Sequence, residues 1–297
     1  MQENQTTPVK TKRRKVKMDT SQKVTFIVYT VIFVVFAALC LYPLFWVLIN
    51  SLKGYEELKT SSIALPNSFD LSIYGEILSF SDSTFTAVRV GFWGMAFNSI
   101  WMAFGGQAIN LFASICVAYP LARYKFPFKK IFYAIIIFRI TIPVVGSGPA
   151  SYKFMRTLQF LDKPGPFMLT YFTGFDMMAL ILYGYFKGIS KDYSEAAYID
   201  GASRLRTFFT IILPQAMPCI LALYINQVMG AWNNFSTTQI YLHSYPNLAY
   251  GIYNRLNKKM DSQFFAAVFM SSLVPLTLFG AFQKTMMTNM SVGGLKG

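Results

Sequence analysis

Residues Val24–Ile49 form an unbroken run, V-T-F-I-V-Y-T-V-I-F-V-V-F-A-A-L-C-L-Y-P-L-F-W-V-L-I, without a single charged side chain. A bilayer-spanning helix needs roughly 20 mostly apolar residues, and this run exceeds that length. It is too long for the apolar core of a cleavable signal peptide, which is about 7–15 residues. Bulky Leu39 directly before Cys40 argues against a lipoprotein signal. The run is therefore expected to be a retained membrane helix. Composition carries the same message along the chain: of 297 residues, 54% are hydrophobic, 17% aromatic and 13% charged, with mean hydropathy +0.39. A soluble domain has about 25% charged residues, and a disordered chain still more. Three Cys and one His give neither a disulfide framework nor a metal site.

The sequence thus predicts an all-α integral membrane protein with six spans, about 24–49, 92–119, 131–150, 166–187, 211–232 and 264–282. Orientation follows from Lys and Arg. With the N-terminus in the cytoplasm, segments 1–23, 120–130, 187–210 and 283–297 are inside and hold 17 basic residues. The outer segments 50–91, 151–165 and 233–263 hold 9, which places both termini in the cytoplasm by the positive-inside rule. Residues 1–23, with Lys10, Lys12, Arg13, Arg14, Lys15 and Lys17, read as a basic cytoplasmic tail anchoring topology against anionic lipid, not as a nucleic-acid arm. Residues 24–297 read as one transmembrane domain. The longest stretch between spans, Asn50–Gly91, is too short for an independent core.

The cytoplasmic segment between spans four and five, K-D-Y-S-E-A-A-Y-I-D-G-A-S-R-L-R-T-F-F-T-I-I-L-P (Lys191–Pro214), reads as two short helices with a turn between them. Asp192 with Glu195 three residues on suggests a capping box. Ala196 and Ala197 favour helix and add no bulk. Gly201 ends the first helix, Ser203 caps the second, and Pro214 marks the bend into span five. A small-residue helix at a bend in a cytoplasmic loop is suited to docking in a groove on another protein.

The pattern Glu195-Ala196-Ala197, three residues, Gly201, nine residues, Ile211, one residue, Leu213-Pro214 resembles the EAA loop of ABC importer permeases at every fixed position. Asp200-Gly201-Ala202, Trp232-Asn233-Asn234-Phe235, Leu41-Tyr42-Pro43, Ser51-Leu52-Lys53 and the C-terminal Gly293-Gly294-Leu295-Lys296-Gly297 resemble the carbohydrate-uptake branch, that of the maltose-permease G-type subunit. The resemblance covers about residues 24–297. It implies that the loop is a coupling helix seated in a cleft of a separate ATPase. Glu195 would be the charged contact, Ala196–Ala197 the close-packing face and Gly201 the hinge. The glycine-rich tail would lie near the ATPase. ATP and Mg would be used by that partner and no cofactor bound by this chain, which has no G-x-x-x-x-G-K-[ST] phosphate loop. The implied assembly is a heterodimer with a second, homologous permease, two copies of the ATPase and an extracellular solute-binding protein, in the plasma membrane of a prokaryote. The outer loops, with Lys153 and Arg156 and with Arg255, Lys258 and Lys259, would meet the binding protein by the same resemblance, and on their residues alone they read equally as solvated loops.

Charges at membrane depth are costly and are functional candidates. Arg139 in span three and Asp176 in span four lie close enough in depth for an ion pair, read as structural rather than substrate-binding. Asn226 and Gln227 in span five, with Asn233 and Asn234 at its outer end, suit sugar hydroxyls, although amides also serve helix–helix hydrogen bonding. Asn98, Gln107 and Asn110 in span two invite the same two readings. No acid–base pair is present in the spans, so no catalytic residue is expected. The expected function is half of the translocation path of an ATP-driven sugar or oligosaccharide importer. The alternative is an ion-coupled transporter or channel subunit, which often carries an inverted repeat that this sequence does not display.

Overall fold

A computed structural model describes residues 19–79, 81–82, 90–142, 146–256 and 261–290. Most of the basic tail and the whole of Gly293–Gly297 lie outside these residues. Among the described residues the structure is helical, apart from a short antiparallel pairing of Ser81–Asp82 with Val90–Gly91. Seven helices carry the argument: α1 (Thr20–Ser51), α2 (Phe92–Arg123), α3 (Lys129–Thr141), α4 (Met177–Gly188), α5 (Asp192–Ile199), α6 (Arg204–Trp232) and α7 (Ser262–Met290).

The chain divides into two units, Met1–Trp46 and Val47–Gly297. In the first, α1 follows from the uncharged run, and its apolar side chains from Val24 to Tyr42 are exposed. Lipid tails are as apolar as these side chains, so nothing requires them to be covered by protein.

In the second unit, α2, α6 and α7 bury one cluster, with Met95, Ala103, Val228, Trp232 and Ala266 at its centre. The Trp232 indole donates to the Ser271 carbonyl at 3.1 Å. A second cluster, built on Tyr119, Leu182, Phe186, Phe208 and Ile212, joins α2, α4 and α6. Both long helices contain a five-residue π-helical turn, Trp101–Gly105 in α2 and Phe208–Ile212 in α6. Widening a turn disturbs the regular hydrogen-bond ladder, which has no water to fall back on inside a membrane. In α2 the Phe104 carbonyl is met by the Tyr224 hydroxyl of α6 at 2.9 Å.

Four helices, Thr20–Ser51, Phe92–Arg123, Arg204–Trp232 and Ser262–Thr285, are long and apolar enough to cross a membrane. The fifth expected span begins at Arg204, seven residues before Ile211, because the second short helix of the loop continues straight into it. The expected spans 131–150 and 166–187 are not single helices. α3 stops at Thr141, about 20 Å long at 1.5 Å per residue, against about 30 Å of hydrocarbon. Ile142 turns extended at φ −94°, ψ 107°, the conformation favoured before a proline. A separate helix, Gly148–Thr157, begins inside the expected span.

The fourth span breaks between Tyr171 and Met177. Gly174 has φ +65°, and a Cβ there would lie 2.8 Å from the Ala113 carbonyl oxygen, so only glycine fits where the chain crosses α2.

Candidate functional site

The loop between α4 and α6 is built as two helical turns around one glycine. Lys191, not Asp192, occupies the N-cap position of α5, and the Ser190 hydroxyl accepts the Asp192 amide at 3.3 Å. The expected capping box is therefore absent: Asp192 and Glu195 stand in the first turn, where their charge favours the helix N-terminus. Gly201 has φ +77°, with open space where a Cβ would be, so backbone conformation, and not crowding, selects glycine there. The Ala202 amide reaches back to the Ala197 carbonyl at 2.9 Å. Ser203 caps the start of α6 by accepting the Arg206 amide at 3.3 Å.

The alanine pair divides its labour. Ala197 is buried within the chain and Ala196 is exposed. Glu195 and Asp200 are exposed as well. Beside them Ile199 is 87% exposed and Leu205 71%, which leaves large apolar side chains uncovered on a charged surface. Ile211 and Leu213 are half-buried on α6, and Pro214 is exposed in its first α-helical turn after the wide one.

Two connections tie this loop to the helices, and the sequence reading identifies neither. At the end of α2 the Arg123 guanidinium donates to the Ile189 carbonyl at 2.8 Å, the Ser190 carbonyl at 3.1 Å and the Ser194 hydroxyl at 3.1 Å. Tyr119, one turn earlier, packs against Phe208 of α6 at 4.4 Å and Phe186 of α4 at 5.5 Å between ring centroids. These contacts join α5 to α2 and, through Tyr119, α2 to α4 and α6.

Within the expected membrane region, Arg139 and Asp176 do not form an ion pair. Asp176 is the N-cap of α4: its carboxylate accepts from the Ala179 amide at 3.1 Å, Asn110 Nδ2 at 2.9 Å and the Ser114 hydroxyl at 3.2 Å. The Arg139 guanidinium donates instead to the Phe175 carbonyl at 3.0 Å. Arg139 and Asp176 thus support the same break from two sides. Asn98 is likewise structural, donating to the Pro246 carbonyl at 2.9 Å.

A cavity of about 200 Å³ lies between α2 and α6, with Gln107, Tyr171, Gln227, Asn234, Thr237 and Asn247 in its wall beside Met102 and two small residues. Gln227 and Asn234 therefore meet there, whereas Asn226 and Asn233 are exposed elsewhere, Asn233 bonding back to the Met229 carbonyl at 3.2 Å. Asn247 is spent on backbone, donating to the Asn234 carbonyl at 2.8 Å and accepting the Tyr250 amide at 2.9 Å. Asp162 accepts from the Ser244 amide and hydroxyl, each at 2.8 Å, joining the segments 151–165 and 233–263 that the sequence assigns to the outer side. Lys258 and Lys259 lie outside the described residues.

Residues 109–286, more than half of the chain, match the family described as binding-protein-dependent transport system inner membrane component. The chain belongs to this family. It is accordingly a multi-pass membrane permease component of an ABC transport system, and the family is one of transport components rather than enzymes.

Relatives of this permease include the diacetylchitobiose uptake system permease protein NgcG of Streptomyces coelicolor, 28% identical over 68% of this chain. The match spans 64% of that relative, less than two thirds of its length. The arabinooligosaccharides transport system permease protein AraQ of Bacillus subtilis is 27% identical over 91% of this chain and 96% of its own. A chain in the crystal structure of a bacterial ABC transporter involved in the import of the acidic polysaccharide alginate is similar in fold, with TM-score 0.71, 21% identity, and coverage of 90% of this chain and 98% of that one.

Proposed function

We propose that the chain is the transmembrane permease subunit of an ATP-driven importer for a sugar or oligosaccharide and forms half of its translocation path. Residues 24–297 are the transmembrane domain and 1–23 its basic cytoplasmic tail. The domain crosses the membrane six times with both termini inside, the third and fourth crossings being made by interrupted helices around Ile142 and Gly174. A second, homologous permease completes the path. Two copies of a cytoplasmic ATPase use ATP and Mg, and an extracellular binding protein delivers the substrate. The names of NgcG and AraQ support a carbohydrate.

The observation that carries this reading is the exposed face of α5, where Glu195 and Ala196 stand beside Ile199 on a loop anchored by Arg123. An apolar patch rimmed by charge marks a protein interface. Glu195 supplies the charged contact and Ala196 the close approach. Asp200 and Gly201 shape the turn, and Ile211, Leu213 and Pro214 continue the motif along α6, in and just after its wide turn. Closure of the ATPase pair moves α5. Arg123 then draws α2, and Phe208 pressing on Tyr119 draws α4, so the helices tilt together.

The test is ATP hydrolysis by the reconstituted complex, stimulated by loaded binding protein, in wild type, Glu195→Lys and Gly201→Asp. Stimulated hydrolysis in wild type, with loss of the ATPase or of coupling in both variants, supports the reading. Uptake that persists without ATP on an ion gradient overturns it in favour of an ion-coupled transporter.

A further inference from the structure

Polar groups that face a cavity inside a membrane protein need partners, because hydrocarbon offers none. Among the described residues, the side-chain amides of Gln107 and Gln227 and the hydroxyl of Tyr171 have no hydrogen-bond partner, and all three residues are half-buried at the cavity wall. Their neighbours are not so placed. Asn98 and Asn110 on α2, and Asn247 in the cavity wall itself, are engaged by protein atoms. The unpartnered groups of Gln107, Gln227 and Tyr171 line one space, while Asn98, Asn110 and Asn247 are used for structure.

The chemistry of that set is specific. Carboxamides and hydroxyls each donate and accept, as sugar hydroxyls do, so the two can pair in either sense. None of the lining residues carries a charge. A carboxylate or sulfonate placed there would be desolvated without a cation, which is far more costly than burying a hydroxyl. The cavity, about 200 Å³ and open on one side, has room for a group the size of a sugar ring. Tyr171 is held as a fixed wall: its ring lies on Gly106, where a Cβ would come within 2.7 Å of the ring.

We propose that this cavity is a subsite for a single uncharged sugar ring, so that the chain passes neutral saccharides and disfavours acidic ones. The proposal rests on the importer reading above. It separates this chain from the fold neighbour involved in the import of acidic alginate.

The test is saturation-transfer NMR on the assembled complex in nanodiscs, without binding protein, using diacetylchitobiose, arabinotriose and trigalacturonate as probes. At least one neutral probe is expected to give a signal, and trigalacturonate none. Gln107→Leu and Gln227→Leu are expected to lower the neutral signal about tenfold, the loss of a hydrogen-bonded contact at each amide, and Tyr171→Phe about threefold. Gln227→Lys is expected to admit trigalacturonate, a gain that misfolding cannot produce.

Equal wild-type signals from neutral and acidic probes overturn the proposal, as does an undiminished neutral signal in both leucine variants. Stimulation of ATP hydrolysis by loaded binding protein, measured on the same wild-type complex, separates the two levels. If stimulation is present and neither neutral probe gives a signal, the subsite alone is refuted. If stimulation is absent, the importer reading fails and takes the subsite with it.

Discussion

The Arg123 guanidinium donates to the Ser194 hydroxyl at 3.1 Å, tying the last turn of α2 to the first turn of α5. With its bonds to the Ile189 and Ser190 carbonyls, one side chain holds the entry to α5. Arg123→Ala is expected to leave the complex assembled but to cut binding-protein-stimulated ATP hydrolysis about tenfold, equivalent to about 1.4 kcal/mol of coupling. Arg123→Lys keeps the charge and loses the planar fork, so it should recover only part of the rate. Equal rates in all three proteins would remove Arg123 from the coupling path.

Gly201 is held at φ +77°, where a Cβ costs roughly 1–2 kcal/mol even with space around it. Gly201→Asn, which tolerates this conformation, should therefore couple better than Gly201→Ala. The comparison is made by co-purification of the ATPase and by its stimulated rate. A reversed order would show that crowding at the interface, not backbone conformation, demands glycine.

Asp176→Ala removes the cap of α4 and strands the Asn110 and Ser114 donors. A lost cap costs about 0.5–2 kcal/mol and a stranded donor about 1–3 kcal/mol, so the complex should melt at a clearly lower temperature. The exchanged double variant Arg139→Asp with Asp176→Arg tests the alternative of an ion pair. It is expected to be no more stable than the less stable single variant, because the two side chains contact different atoms. Rescue by the exchange would restore the pairing.

Gly174 combines φ +65° with a Cβ position 2.8 Å from the Ala113 carbonyl. Gly174→Ala should thus be more damaging than Gly184→Ala, where nothing lies within 4 Å of the added atom and helix is favoured. Thermal unfolding of the two variants, monitored by retention of a monodisperse complex, decides the order.

What sequence reveals here depends on how far apart the interacting residues are. The helix–turn–helix of the loop is legible because its signals are local: Gly201 ends a helix and Ser203 begins one within a dozen residues of Glu195. The run Val24–Ile49 is legible for the same reason. Asp176 is misread as an ion-pair partner because hydropathy averaged over a span passes across the short break at Gly174, although T-G-F-D followed by an apolar run is itself a cap signal. Pro143 likewise marks the end of α3 in the sequence, and its neighbour Ile142 departs from the helix accordingly. The roles of Arg123 and Tyr119 have no local signature. Arg123 reads as one more basic residue on the inner side, and its partners lie 66 to 71 positions away. The cavity is only partly legible: alternation along α6 does not say that Gln227 faces it while Asn226 does not.

The wide turn at Trp101–Gly105 has a bearing on how such chains are aligned. One extra residue in a helix of 3.6 residues per turn swings everything beyond it by about 100°. A five-residue wide turn instead takes up such a residue locally, so the helix beyond it keeps the face that a regular second helix one residue shorter would present. Homologous positions on the two sides of Phe104 can therefore be compared only after a one-residue gap is placed within the wide turn. Without that gap, lipid-facing residues would be counted as pore-lining, and an inherited change of one residue in length would pass for a change in specificity.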